Sequence, residues 1–151
     1  MKQYIGTKII QAEPAYRVDG KVWVKSQPVP CGHKVEDGYK VVYSPDGYES
    51  WSPKDVFEAA YRETSGMNFG LAIEAAKKGK KIARAGWNGK NQYVELGHDF
   101  SYTAPGDIPV RPVQHLDIGS QALVFVGTRG RQVGWLASQA DMLADDWMIV
   151  E

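Results

Sequence analysis

With 151 residues, 43% of them hydrophobic and 24% charged, the chain is long enough to bury a core and short enough for one domain or two very small ones. Eighteen basic residues balance eighteen acidic ones, and each half, 1–65 and 66–151, is itself balanced at nine of each sign, so no overall field draws in a nucleic acid polymer. No apolar run approaches the roughly 20 residues of a membrane span, and the N-terminal MKQYIGTKIIQAE is broken by polar and acidic residues where a signal peptide needs an apolar stretch, so a cytoplasmic protein is expected. The single cysteine, Cys31, excludes an internal disulfide. With His33, His98 and His115 it makes no zinc spacing, and no metal site or cofactor is expected.

In chain order, residues 2–12 and 17–25 read as strands, with Tyr4, Ile9, Ile10, Val22, Trp23 and Val24 as their apolar content. A Pro-rich loop, QPVPCGHKVEDG, follows. GYKVVYSPDGYESW carries a hairpin signal: Tyr39, Val41 and Tyr43 alternate into a turn at Pro45, Asp46 and Gly47, and Tyr48 and Trp51 return. SPKDVFEAAYR then predicts a helix capped by Ser52, with Pro53 first, Asp55 in the positive first turn, and Val56, Phe57, Ala60 and Tyr61 as its buried stripe. ETSG, residues 63–66, reads as a joint between residues 1–65, a β-rich module with one helix, and residues 66–151.

Beyond the joint, Asn68 caps a predicted helix whose Phe69, Ala72, Ile73 and Ala76 follow the i, i+3, i+4, i+7 pattern, and Gly79 ends it. Strands are predicted at about 80–85 and 91–96. A Pro- and Gly-rich loop from His98 to Gly119 is too long for a simple connector. QALVFVGT and RQVGW pair as strands, ASQADMLADD forms a short helix, and WMIVE a last strand. Short strand spacings without a βαβ rhythm give an α+β fold of two small modules, mainly antiparallel sheets each packed with a short helix.

Two features point to a site. The first is the turn GWNGK, residues 86–90, which presents Trp87 and Asn88 between a basic helix end and a strand. The second is GWLASQADMLADDW, where Ser138 and Asp141 make a capping box. Asp145 and Asp146 crowd the helix end at which negative charge costs a few tenths to about 1 kcal/mol each, so either solvent screens them or a partner offsets the cost. If both stretches face one pocket, the indoles of Trp87 and Trp135 offer stacking surfaces worth roughly 1 to 3 kcal/mol per base. Asn88 can read a polar edge, and Asp141 can accept from ribose hydroxyls. The turn amides, the amides after Ser138, and Lys90 or Arg84 suit a phosphate. Three bland alternatives remain open: Trp135 and Trp147 as core packing, Trp87 as the cover of a sheet edge, and the run Lys77, Lys78, Lys80, Lys81 as a solvated face.

MNFGLAIEAAKKGKKIARAGWNGK followed by GWLASQADMLADDWMIV resembles the phage-encoded Thoeris anti-defence type 2 family over residues 67–151. The resemblance implies a sponge that binds immune signalling nucleotides without degrading them: glyco-cyclic ADP-ribose, and in some members cyclic dinucleotides. It implies a homotetramer with pockets between protomers. Carried over by residue, the implied ligand contacts are Phe69, Trp87, Asn88, Trp135, Ala137, Ser138, Gln139 and Asp141, with no catalytic residue; Arg84 and the turn residue Gly89 are added as candidate contacts on their chemistry and position alone. Residues 1–65 resemble a small module of other phage proteins without a function attached. Two other classes remain: a hydrolase using Asp141, Asp145 and Asp146, and a phage protein-interaction module.

Overall fold

A computed structural model of the chain describes residues 1–28, 34–89, 91–110 and 121–151. Cys31, His33, Lys90 and His115 lie outside the described residues. The chain divides into two compact units, Met1–Arg62 and Glu63–Glu151. Each is an antiparallel sheet with short helices, the expected α+β class.

In the first unit, β1 (Gln11–Val18), β2 (Lys21–Val24), β3 (Val35–Tyr43) and β4 (Tyr48–Pro53) form a sheet of order β2-β1-β3-β4, followed by α1 (Lys54–Ala60). The β1–β2 turn holds Asp19 and Gly20 at φ 48° and 80°. Two successive positive φ values give the turn a twist that matches the strands it joins. The expected strand over 2–12 begins instead at Gln11, and Tyr4 and Ile5 are 89% and 98% exposed. The register explains this: Gln11 pairs with Val42, and β3 ends one residue later, at Tyr43, so residues before it have little strand left to pair with. The β3–β4 hairpin forms as predicted, Tyr43 opposite Tyr48.

Ser52 does not cap α1, because it lies within β4 opposite Tyr39; the N-cap is Pro53, with no side-chain bond. The predicted stripe is also narrower than expected. Phe57 stacks on Tyr39 at 4.1 Å and on Tyr61 at 5.0 Å between centroids. Val56 and Ala60, in contrast, are exposed. A helix of only two turns lays one line of side chains on the sheet. Ala15, Val18 and Val41 are buried. The Trp51 indole lies so close over Gly38 that a Cβ there would meet its ring at 2.8 Å. The Arg17 guanidinium stacks on that indole at 4.0 Å and pairs with Glu36 at 2.6 Å.

The second unit contains α2 (Phe69–Lys77), β5 (Lys81–Arg84), β6 (Tyr93–His98), β7 (Tyr102–Ala104), β8 (Ile108–Val110), β9 (Gln121–Gly127), β10 (Gly130–Val133), α3 (Gln139–Met142) and β11 (Trp147–Val150). Five strands form one sheet, order β10-β9-β6-β5-β11. The described part of the predicted 98–119 loop contains the small β7–β8 hairpin, so it is not all irregular. The Asn68 side chain accepts from Leu71 N–H at 2.9 Å, as predicted, and Gly79 (φ 78°) follows the helix end. Left-handed backbone at that position suits glycine.

Side chains of paired residues share a sheet face, so Ile149, Ile82, Val94 and Phe125 line the face that α2 covers. Ala72, Ala75 and Ala76 bring the helix close to it, and Met67 and Trp147 complete the core. The Met67 and Trp147 backbones exchange two hydrogen bonds, of 2.8 and 3.1 Å, which fixes the helix entrance against β11. Among the described residues, no helix is long and apolar enough to cross a membrane.

Candidate functional site

β5 ends at Arg84 and the chain turns at once, with Trp87 N–H donating to Arg84 C=O at 3.2 Å. The turn is pinned from β11's side: Ala85 N–H donates to the Asp146 carbonyl at 3.1 Å, and Gly86 N–H to Asp146 Oδ2 at 3.0 Å. The approach is close: a Cβ at Gly86 would lie 3.1 Å from the same carboxylate oxygen, which would have to give by a few tenths of an ångström. The pinned turn aims the Trp87 indole back over the sheet.

There Trp87 meets three aromatic rings edge-on: Trp147 at 5.5 Å, Phe125 at 5.6 Å and Trp135 at 6.0 Å. Such T-shaped pairs contribute about 0.5 to 1.5 kcal/mol each beyond area burial. Trp135 arrives by a different route. Gly134, at φ 86°, turns the chain off β10, and both Gly134 and Trp135 donate to the Leu123 carbonyl on β9, at 3.0 and 2.9 Å. Trp147 is fully buried beneath, with Phe69 against it at 5.4 Å. Trp147 is therefore core packing; Trp87 and Trp135 are half-buried at the edge of that core.

Polar groups close around the same point. The Ser138–Asp141 capping box forms as predicted: Asp141 N–H donates to Ser138 Oγ and Ser138 N–H to Asp141 Oδ2, both at 3.1 Å. Ser138 Oγ also donates to Oδ2 at 2.6 Å. The other carboxylate oxygen, Oδ1, accepts from Arg84 Nη1 at 2.9 Å and from Trp87 Nε1 at 3.2 Å. Burial opposes the charge of Asp141, but hydrogen bonds from Ser138, Arg84 and Trp87 more than compensate and lower its pKa from 3.8 to about 2. Arg84 Nε donates to Asp146 Oδ1 at 2.8 Å, and this bond above all holds the Asp146 carboxyl below its usual range. The same two carboxylates, Asp146 first, raise the Arg84 guanidinium.

Of the sequence-predicted positions, Phe69, Arg84, Trp87, Trp135, Ser138 and Asp141 are joined by this network of rings and bonds. Asn88 and Gln139 are exposed beside it, and Ala137 is half-buried. Gly89 is crowded by the Gln92 side chain, which occupies the place of a Cβ. Lys77 pairs with Glu74 at 2.8 Å on the exposed last turn of α2. Sequence reasoning left Asp146 out of the ligand contacts and named it only as an awkward charge and as a residue of the alternative hydrolase. The helix expected over ASQADMLADD is shorter, ending at Met142, so Asp146 lies in the connection just before β11, not at a helix end, and its partners are the Arg84 guanidinium and the Gly86 amide.

All of these residues fall inside the stretch, residues 67–150, that the Thoeris anti-defense 2-like domain profile matches. The chain belongs to that family. Thoeris anti-defense 2 of Bacillus phage SP01 is 36% identical over 91 residues, which covers 56% of this chain and 94% of that protein. The Thoeris anti-defense 2-like domain thus coincides with the second unit, and the first unit lies outside the match.

Proposed function

We propose that residues 66–151 form a nucleotide sponge, which binds glyco-cyclic ADP-ribose, and also cyclic dinucleotides, without degrading them in the infected host's cytoplasm. Membership of the Thoeris anti-defense 2-like family supports an anti-Thoeris role. The observation that carries the finer reading is the convergence of two half-buried indoles, Trp87 and Trp135, 6.0 Å apart, with the exposed Asn88 and Gln139 beside them. Aromatic faces beside polar edges suit a base or ribose, and the family resemblance extends this to a homotetramer whose pockets lie between protomers.

The alternative hydrolase needs a free base or a metal-holding carboxylate group. Asp141 and Asp146 are both engaged by Arg84, which favours binding over hydrolysis. Incubation with glyco-cyclic ADP-ribose, heat denaturation and mass spectrometry of the released small molecule tests the proposal. A sponge returns the nucleotide intact, a hydrolase returns products, and a protein-interaction module returns nothing. Light scattering giving a monomer at micromolar concentration would remove the shared-pocket arrangement.

A further inference from the structure

Asp141 has acceptor capacity for about four hydrogen bonds, two at each carboxylate oxygen. Four donors already fill it: Arg84 and Trp87 at Oδ1, and the Ser138 amide and hydroxyl at Oδ2. Arg84 is largely committed, with Nε on Asp146 at 2.8 Å, Nη1 on both Asp141 at 2.9 Å and the Ala140 carbonyl at 3.2 Å, and Nη2 held only loosely, by Asp146 Oδ2 at 3.5 Å. A ligand hydroxyl could reach Asp141 only by displacing one of its four bonds, and a phosphate would find at Arg84 only the loosely held Nη2, beside two carboxylates that repel it. Groups so thoroughly satisfied by one another hold geometry and have little left to offer a ligand.

Asp146 is the most exposed of the three charges and the one that grips the turn itself. One oxygen takes Arg84 Nε, the other takes Gly86 N–H at 3.0 Å, and its own carbonyl takes Ala85 N–H at 3.1 Å. One residue before β11 thus clamps both residues that precede Trp87, and Asp141 holds the indole from the other side. We propose that Asp146 is a positioning residue for the binding site: with Arg84 and Asp141 it fixes the Gly86–Trp87 turn, so that the indole of Trp87 stands ready for a ligand that touches the turn and not the three charges. This rests on the sponge reading for its ligand, but the clamp itself is a property of the free protein.

The test uses the whole chain, with Asp146→Ala and Asp146→Asn, isotope-labelled for the Gly86 amide and the Trp87 indole N–H. In ligand-free protein, Asp146→Ala is expected to speed Gly86 amide exchange and to shift the Trp87 indole signal. Asn at 146 keeps one acceptor and is expected to restore part of the protection. Titration with glyco-cyclic ADP-ribose, at a temperature where melts show both variants folded, is expected to weaken about tenfold for Ala, one decade on the affinity scale, and less for Asn. A merely structural Asp146 would lower the melting temperature and leave the affinity of the folded fraction unchanged, and that result overturns the proposal. So does an unaltered Gly86 amide in both variants. If the wild-type chain does not bind glyco-cyclic ADP-ribose, the sponge reading fails, and the proposed role of Asp146 in ligand binding falls with it even if the exchange data show the clamp.

Discussion

Trp87 and Asp141, 54 residues apart in the chain, are joined by an indole N–H that donates to carboxylate Oδ1 at 3.2 Å. The bond ties the turn after β5 to the first turn of α3 through a side chain that also caps that helix. One carboxylate therefore organises both stretches singled out from the sequence.

Replacing it isosterically separates charge from shape. In Asp141→Asn, one side of the new amide still accepts, while its NH2 must face either the Arg84 and Trp87 donors or those of Ser138. Hydrogen bonds to charged groups contribute about 1.5 to 3 kcal/mol, so the variant is expected to lose about 2 kcal/mol in urea denaturation. An unchanged midpoint would mean that the carboxylate's partners are equally well served by water.

Acid should reveal the same group. Its folded-state pKa, about 2, lies below the ordinary 3.8, so the unfolded chain takes up the proton first. The contribution is complete above about pH 4 and is lost as pH falls towards about 2. The shift sets an upper limit of about 2 kcal/mol, reduced by whatever solvent reaches the carboxylate. Stability measured against pH should fall across that window in the wild type and less steeply in Asp141→Asn. Equal slopes would assign the acid limb to other carboxylates, such as Asp146, Asp37 or Glu36, whose pKa values are also lowered.

Local patterns were legible in the sequence because their physics is local. The Asn68 cap, the Ser138–Asp141 box and the β3–β4 hairpin each need only a few neighbouring residues, and all three form. Ser52 was misread because the sheet claims its backbone before the helix can use it, which depends on Tyr39 across the hairpin. The early start assigned to β1 failed because strand length is set by the partner strand, here the end of β3. Asp146 was visible as a misplaced charge, but its partner Arg84 lies 62 residues away, and nothing in the local pattern names it. The strand order β10-β9-β6-β5-β11 is likewise a long-range outcome.

Gly38 tests the packing of the first unit. A Cβ there would run into the Ser52 carbonyl and the Trp51 indole, and neither is the free end of a flexible side chain. Gly38→Ala is expected to destabilise that unit by about 3 kcal/mol, at the upper end of overpacking costs. Denaturation followed by Trp fluorescence measures it, and a loss below 0.5 kcal/mol, roughly that of an ordinary surface change, would show that β4 can shift without penalty.

Trp87 itself decides how structure and binding divide. A tryptophan that only decorated a turn would leave folding intact when removed. The edge contacts of Trp87 with Phe125, Trp135 and Trp147, and its bond to Asp141, predict a stability loss as well. Fully buried tryptophans lose about 3 to 5 kcal/mol on truncation, so the half-buried Trp87→Ala should lose about 2 to 3. Trp87→Phe keeps much of the ring contact and removes only the N–H donor, so it should lose about 1 kcal/mol. Binding should separate the two further. Where both variants are folded, Ala forfeits a stacking contribution of roughly 1 to 3 kcal/mol, a weakening of about 5- to 150-fold towards glyco-cyclic ADP-ribose, while Phe retains a face on which to stack. Calorimetric titration beside thermal melts reads both quantities. If the folded Ala variant binds as tightly as the wild type, the indole serves the core and Asp141 alone, and ligand stacking must be sought at Trp135.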